Sequence, residues 1–244
     1  MRTFRSSLNA SPTADQGTCW QLSPSFQPGR EELSYGSENQ ESQPWKERGV
    51  KIVCISDTHN RHTELRLPPG DVLIHAGDYS MRGHVVETEA FLSCFAAQPH
   101  QHKIFIAGNH DFIFQQHRQK ARAMVPEGVI YLEDESVTLN GIRFWGSPVT
   151  SMFEDWAFMH GPATIGTYWN AIPEDTDMLI THGPAHGVLD AVLPYGEQVG
   201  CPQLRQALET RLHLKLHVFG HIHEAYGQVV DSGLTSVNAS FLDR

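Results

Sequence analysis

The chain has 244 residues, 40% hydrophobic and 19% charged, which is the make-up of an ordinary globular protein long enough for one large domain. Its net charge of −10 argues against a general nucleic-acid binder, which needs a basic face. It does not exclude a small anionic substrate, because bound divalent metals invert the local field, and no run approaches the ~18 apolar residues needed to span a bilayer.

In chain order, residues 1–49 are rich in Ser, Gln, Pro and Gly and show no strand or helix period, so a disordered or loosely attached tail is expected there. All 15 histidines fall after residue 50. The start, Met1 to Ser7, lacks the apolar core of a secretory signal, and a cytoplasmic chain is expected. Its arginines, serines and lack of acids before Asp15 are features shared with transit peptides. Cys19, Cys54, Cys94 and Cys201 form no C-x-x-C pair and are read as free thiols in a reducing compartment. Asn9-Ala10-Ser11 and Asn238-Ala239-Ser240 are formal glycosylation acceptors, read as inert without a signal peptide.

From Val50 onward strand-like runs alternate with amphipathic stretches. The apolar runs at residues 50–55, 71–74, 103–106, 177–180 and 216–219 each precede a polar cluster. Those clusters are Asp57-Thr58-His59, Gly77-Asp78, Gly108-Asn109-His110-Asp111, Thr181-His182-Gly183 and Gly220-His221-Ile222-His223. Helices are predicted over residues 87–97, 115–124 and 201–212, the last with Pro202 in its first turn. Asn140-Gly141 suits a type I′ turn inside a hairpin over residues 136–146. The pattern predicts an α/β protein with mixed sheets covered by helices. In such sheets, function gathers at the carboxyl ends of the strands, where the five clusters fall.

Asp57, His59, Asp78, Asn109, His182, His221 and His223 together supply what two divalent cations need: a carboxylate able to lie between them, with imidazole and amide donors to fill each shell. This nitrogen and oxygen set, with no thiolate, suits Mn, Fe, Zn or Co rather than a structural zinc. Each member alone also has a structural reading. Asp57-Thr58 can cap a helix, while Gly77-Asp78 and Gly108-Asn109 can form turns, and His182 can sit in a loop. His221 and His223 are harder to assign that way, since two residues apart on a strand puts both rings on one face. Five coincidences at strand ends are a poor alternative to one site. His75, within a buried run, is expected to be a packed, hydrogen-bonded imidazole. His62, His84, His100, His102, His117, His160, His213 and His217 are expected to be structural or solvated, and His186 is a weaker candidate for facing substrate.

These motifs, D-x-H, G-D, G-N-H-D, H and G-H-x-H in order, resemble the calcineurin-like metallophosphoesterases. Residues 144–150, 169–174, 179–184, 199–201 and 215–220 are similar to the metallophosphoesterase-domain-containing branch, and the resemblance runs from about Lys51 to Ser240. It implies a phosphoesterase domain over residues 50–244, apparently short at its C-terminal end, folded as a four-layer α/β/β/α sandwich of two mixed β-sheets flanked by helices. It implies one metal at Asp57, His59, Asp78 and His223, with Asp78 bridging to a second held by Asn109, His182 and His221. His110 would be the general acid, supported by Asp111. Two departures set the chain apart from protein phosphatases of this superfamily: Met81 replaces an Asp, and Ala107 stands where they carry an Arg. The implied activity is hydrolysis of phosphodiesters, cyclic nucleotides among them, by a metal-activated hydroxide, with Mn²⁺ the favoured metal. The alternatives are a nucleotide phosphomonoesterase and a non-catalytic scaffold that binds nucleotides or proteins.

Overall fold

The computed structural model describes residues 18–22, 49–210 and 213–242. Two mixed sheets form its centre. In the first, β1 (Thr18–Leu22), β2 (Val50–Ile55), β3 (Val72–His75), β4 (His102–Phe105) and β5 (Val129–Tyr131) lie in that order, all parallel except β1. The second runs β14 (Gly227–Asp231), β15 (Leu234–Asn238), β13 (Leu216–Phe219), β10 (Met178–Thr181), β7 (Ile142–Ser147) and β6 (Glu135–Leu139), with antiparallel pairs at both edges. Two small pairs lie outside them: β8 (Thr150–Ser151) with β9 (Met159–His160), and β11 (Ala191–Val192) with β12 (Glu197–Gln198).

The layering follows from side-chain alternation along strands that are buried on both faces. Ile52, Cys54, Val72, Ile74 and Ile104 of the first sheet meet Phe144, Met178, Ile180, Leu216 and Val218 of the second in a core between the sheets. Their neighbours Val53, Leu73 and Phe105 point the other way, against Phe91 and Phe95 of α1 (Val85–Ala96) and Phe114 of α2 (Phe112–Gln116). On the far side Trp145, Leu179 and Phe219 pack on Trp169 of α4 (Ile165–Asn170) and Leu204 and Leu208 of α5 (Pro202–Thr210). Three separate cores stacked in this way make the expected α/β/β/α sandwich. At roughly 1.5–3 kcal/mol for each fully buried large side chain, they are the main term holding it together.

Every predicted strand run and the hairpin are present. Leu139 pairs with Ile142 across Asn140 and Gly141, both at positive φ (49° and 80°), as a type I′ turn requires. The helix predicted over residues 115–124 is instead two, α2 and α3 (Arg118–Met124). They divide at His117, whose backbone is non-helical at φ −132° and ψ 47°. The tail also yields an element that its composition did not announce, since Thr18–Leu22 is the antiparallel edge strand on β2. The rest of residues 1–48, with Asn9, lies outside the described residues. Asn238, the other formal glycosylation acceptor, is fully buried and donates from Nδ2 to the Ile222 carbonyl at 2.8 Å, so its side chain is structural.

The two sheets meet at one end. Ser56 bridges Ser240 in parallel, and the Phe241 amide donates to the Ser56 carbonyl at 2.9 Å. The five polar clusters open onto this seam.

Candidate metal centre

Each cluster is a turn leaving a buried strand, and the turns are unusual. Asp57 (φ 54°), His59 (40°), Asp78 (56°) and His221 (69°) all lie in the left-handed region, which costs a non-glycine residue on the order of 1–3 kcal/mol. Four candidate ligands in strained backbone mark a site where geometry is imposed by the surrounding cores. Two glycines allow the turns to close on one another. A Cβ on Gly108 would meet the Asp78 carboxylate, and one on Gly220 would meet the Asp57 carboxylate and the Ser56 side chain.

The structure brings all seven candidate ligands and His110 together. The donor atoms of Asp57, His59 and His223 lie within 4.8 Å of one another, as do those of Asp78, His182 and His221. These are the two groupings that the family resemblance implies. Asp78 stands between them. Its Oδ2 is 3.3 Å from His182 Nε2 on one side, and 3.8 Å from His59 Nε2 and 3.9 Å from His110 Nε2 on the other. Its Oδ1 is used differently, accepting the His110 amide at 2.8 Å. Asn109 Oδ1 reaches His182 Nε2 at 2.8 Å.

The imidazoles are presented by their far nitrogens. His59 Nδ1 donates to the Ser80 carbonyl at 3.1 Å and His182 Nδ1 to the Ala76 carbonyl at 2.9 Å, which points both Nε2 atoms inward. This arrangement tests whether a cation fits. His182 Nε2 faces two acceptor oxygens, of Asn109 and Asp78, and His59 Nε2 faces His223 Nε2 at 3.4 Å. Acceptors so converged call for a proton or a metal ion among them, and a cation can take the place of the proton on His182. The residues therefore fit divalent metal, and the donor set of nitrogen and oxygen alone matches Mn, Fe or Zn.

Electrostatics points the same way. Burial works to raise the Asp78 pKa, but the charge and hydrogen bond of His182 outweigh it and lower the group to about 2. Burial lowers His182, and the charge and hydrogen bond of Asp78 more than reverse this, raising it to about 9. For Asp57, burial is outweighed by the His223 hydrogen bond and the charges of His182, His223 and His59, so the carboxyl is held well below the usual range. Burial takes His221 down to about 4, a neutral donor at physiological pH. A pocket that keeps two carboxylates ionised and raises an imidazole's proton affinity is one that attracts a cation.

Asp111 organises the turns rather than donating to the centre. Its carboxylate accepts the amides of Gly108 (2.8 Å), Asp78 (2.9 Å) and Ser80 (3.1 Å) and the Ser80 hydroxyl (2.6 Å). His110 turns its Nδ1 to the Met81 carbonyl (2.9 Å) and its Nε2 towards Asp78, with its side chain 21% exposed. His75 and His217 are fully buried behind the site, bonded to Thr58 and Thr181 at 3.0 and 2.8 Å. His62 and His100 are also buried and lie outside these groups, and His186 is exposed beside Asp190.

Sequence reasoning missed three residues around the centre. Ser240 donates its hydroxyl to Asp57 Oδ2 at 2.8 Å, although the motif holding it reads as a glycosylation acceptor. Glu87 accepts the amides of Met81, Arg82 and His84 and the side chain of Asn60, fixing the loop after Asp78. Trp156 stacks on His110 with ring centroids 4.3 Å apart. None of the three belongs to a metal-binding motif. Only the capping-box spacing of His84 and Glu87 left a trace in the sequence.

A family model described as calcineurin-like phosphoesterase matches residues 50–225. Metallophosphoesterase domain-containing protein 1 of Homo sapiens is 40% identical over 215 residues, covering 78% of this chain and 66% of the relative. The Mus musculus protein of that name gives the same figures. UPF0046 protein K07C11.7 of Caenorhabditis elegans is 36% identical over 205 residues, 78% of this chain and 69% of that one. The chain thus spans about 66% of the mammalian relatives' length. The crystal structure of TT1561 of Thermus thermophilus superposes with a TM-score of 0.55 at 13% identity, covering 77% of this chain and 87% of that one, a likeness of fold. With the motif turns, the layer order and the relatives in agreement, the chain belongs to the calcineurin-like phosphoesterase family and is similar there to the metallophosphoesterase-domain-containing branch.

Proposed function

We propose that the protein hydrolyses phosphodiesters of small molecules, nucleotides among them, at a two-metal centre built on Asp78. Membership of the family supports a metal-dependent hydrolase of phosphoesters. The finer reading is carried by one observation: Asp78 Oδ2 faces imidazole nitrogens on two sides, from two separate ligand groups. Asp57, His59 and His223 would complete one metal, and Asn109, His182 and His221 the other. When bound, two divalent cations, Mn²⁺ favoured over Fe or Zn, supply an activated water near neutral pH and positive charge for the phosphoryl oxygens.

The chain's own groups do the rest. The Ser80 and Ala76 carbonyls orient the rings of His59 and His182, and Asp57 accepts the Ser240 hydroxyl and the His221 amide (3.0 Å), which fix its carboxylate in place. His110, with Nδ1 committed to Met81, presents Nε2 at the centre's edge, where it can give a proton to the departing alkoxide. Such a transfer contributes typically ~10²–10⁴-fold. No side-chain nucleophile is needed, so no covalent phosphoenzyme forms. The test is metal analysis of purified protein paired with hydrolysis of bis-p-nitrophenyl phosphate and a panel of cyclic nucleotides and phosphomonoesters under Mn²⁺. Two metals per chain and faster diester than monoester cleavage are expected. One metal per chain, or monoester preference, refutes the reading.

A further inference from the structure

We propose that Trp156 is a positioning residue for His110, and that its indole face, rather than a hydrogen-bonding carboxylate, sets the imidazole's orientation towards the leaving oxygen. The proposal rests on the reading of His110 as the acid. Histidines that work as acids are commonly aimed by a partner on the second ring nitrogen. His110 has only the Met81 carbonyl there, and one hydrogen bond leaves the ring free to swing about it. Two other rings remove that freedom. His59 abuts the His110 ring edge-on, with centroids 4.7 Å apart and planes at 84°. Trp156 covers its face at 4.3 Å and 31°.

Trp156 is itself anchored. The Ala157 amide donates to the Asn109 carbonyl at 3.1 Å, tying the loop to the residue before His110. Ala157 is fully buried and Phe158 nearly so, in the core beneath α1 and α2. Arg82 lies over the indole at 5.6 Å and Phe112 packs beside it at 6.0 Å. Arg82 and Met81 belong to the loop that Glu87 holds by three backbone amides. One clamped unit therefore grips His110 by its Nδ1 and by its face. The loop before Trp156 exposes Met152 and Phe153, while the half-buried indole packs against His110.

A displacement of about 1 Å at a catalytic group can cost on the order of 100-fold. Trp156→Ala is expected to lower kcat 10- to 100-fold on a diester with an alkyl leaving group, with KM within about threefold. On bis-p-nitrophenyl phosphate, whose leaving group needs no proton, the loss should stay under about threefold. In a His110→Ala background the same change should do nothing further, and Trp156→Phe should restore most of the rate. A readout independent of turnover is the NMR signal of the His110 ring hydrogens, which the stacked indole shields. They should move downfield in Trp156→Ala and keep part of their shielding in Trp156→Phe. If the alanine variant does not fold, Trp156→Leu carries the same expectations. Unmoved ring signals, equal losses on both esters, or losses additive with His110→Ala would each overturn the proposal. If His110→Ala itself shows no dependence on the leaving group, the acid reading falls, and the ring signals alone decide whether Trp156 positions the imidazole.

Discussion

Acid should destabilise this fold through two histidines that never meet the site. His75 and His217 lie on a strand of each sheet, each fully buried and each bonded through Nε2 to a threonine at or just past the end of the neighbouring strand, Thr58 and Thr181. His75 Nδ1 accepts the Gly77 amide at 3.3 Å, so a proton there would face another donor. Thr181 gives its own hydroxyl proton to the Gly183 carbonyl, so His217 Nε2 must donate, and its Nδ1 is buried with no partner among the described residues. Burial lowers both from the usual 6.5 to about 3. Because the folded-state values are depressed, the stability these groups contribute is present above the unfolded value. It is lost as pH falls from about 6.5 towards 3. Between pH 7 and 5 the linkage comes to about 2 kcal/mol for each, about 4 for the pair. Other buried imidazoles add to the total slope, so the informative quantity is a difference. His217→Phe, which keeps the apolar contact with Phe219 and cannot titrate, should lose about 2 kcal/mol less than the parent over that range in urea melts. A variant whose pH dependence matches the parent's would refute the argument for His217.

Asp78→Ala should abolish both metal occupancy and turnover, and normal activity in that variant would sink the two-metal reading. Asp111→Ala leaves the amides of Gly108, Asp78 and Ser80 without their acceptor in a buried turn. At ~1–3 kcal/mol for each orphaned donor it should cost about 3 kcal/mol or more in urea unfolding, and a loss below about 1 would show that the turns are held otherwise. Ser240→Ala removes one of the donors that fix Asp57, so metal affinity measured by titration should fall ~10- to 100-fold with little change in fold. Gly220→Ala drives a methyl against the Asp57 carboxylate, and metal stoichiometry should fall towards one per chain while Asp78, His182 and His221 keep theirs.

What the sequence revealed and what it hid divide along a physical line. The strands were legible because burial on both faces writes each as a short apolar run, as at Leu216–Phe219, and the chemistry was legible because ligands must be particular residue types. Asn140-Gly141 disclosed its turn because few other pairs tolerate two positive φ values. The missed pieces lack any such compulsion. Strands β8 and β9 are two residues each, and β14 exposes Val229 and Val230 at the sheet edge, so no period forms. Helix α4 is six residues long, too short for a full apolar stripe. Trp156 and Ser240 act through tertiary contacts alone, the first 46 residues from His110 in sequence (156 − 110) and the second 183 from Asp57.

That distance also explains why the site tolerates its strain. Asp57, His59 and Asp78 leave strands of the first sheet, while His182, His221 and His223 leave strands of the second, so the groups Asp57–His59–His223 and Asp78–His182–His221 each draw on both sheets. The left-handed turns at Asp57 and His221 are tied to each other across the sheets, the His221 amide donating to the Asp57 carboxylate at 3.0 Å. Closure is recorded at Ser56 and Ser240, where the bridge between the sheets and the hydroxyl on Asp57 come from the same residue. Packing between the sheets thus sets the spacing of the candidate ligands, which ties the geometry of the site to the stability of the whole domain.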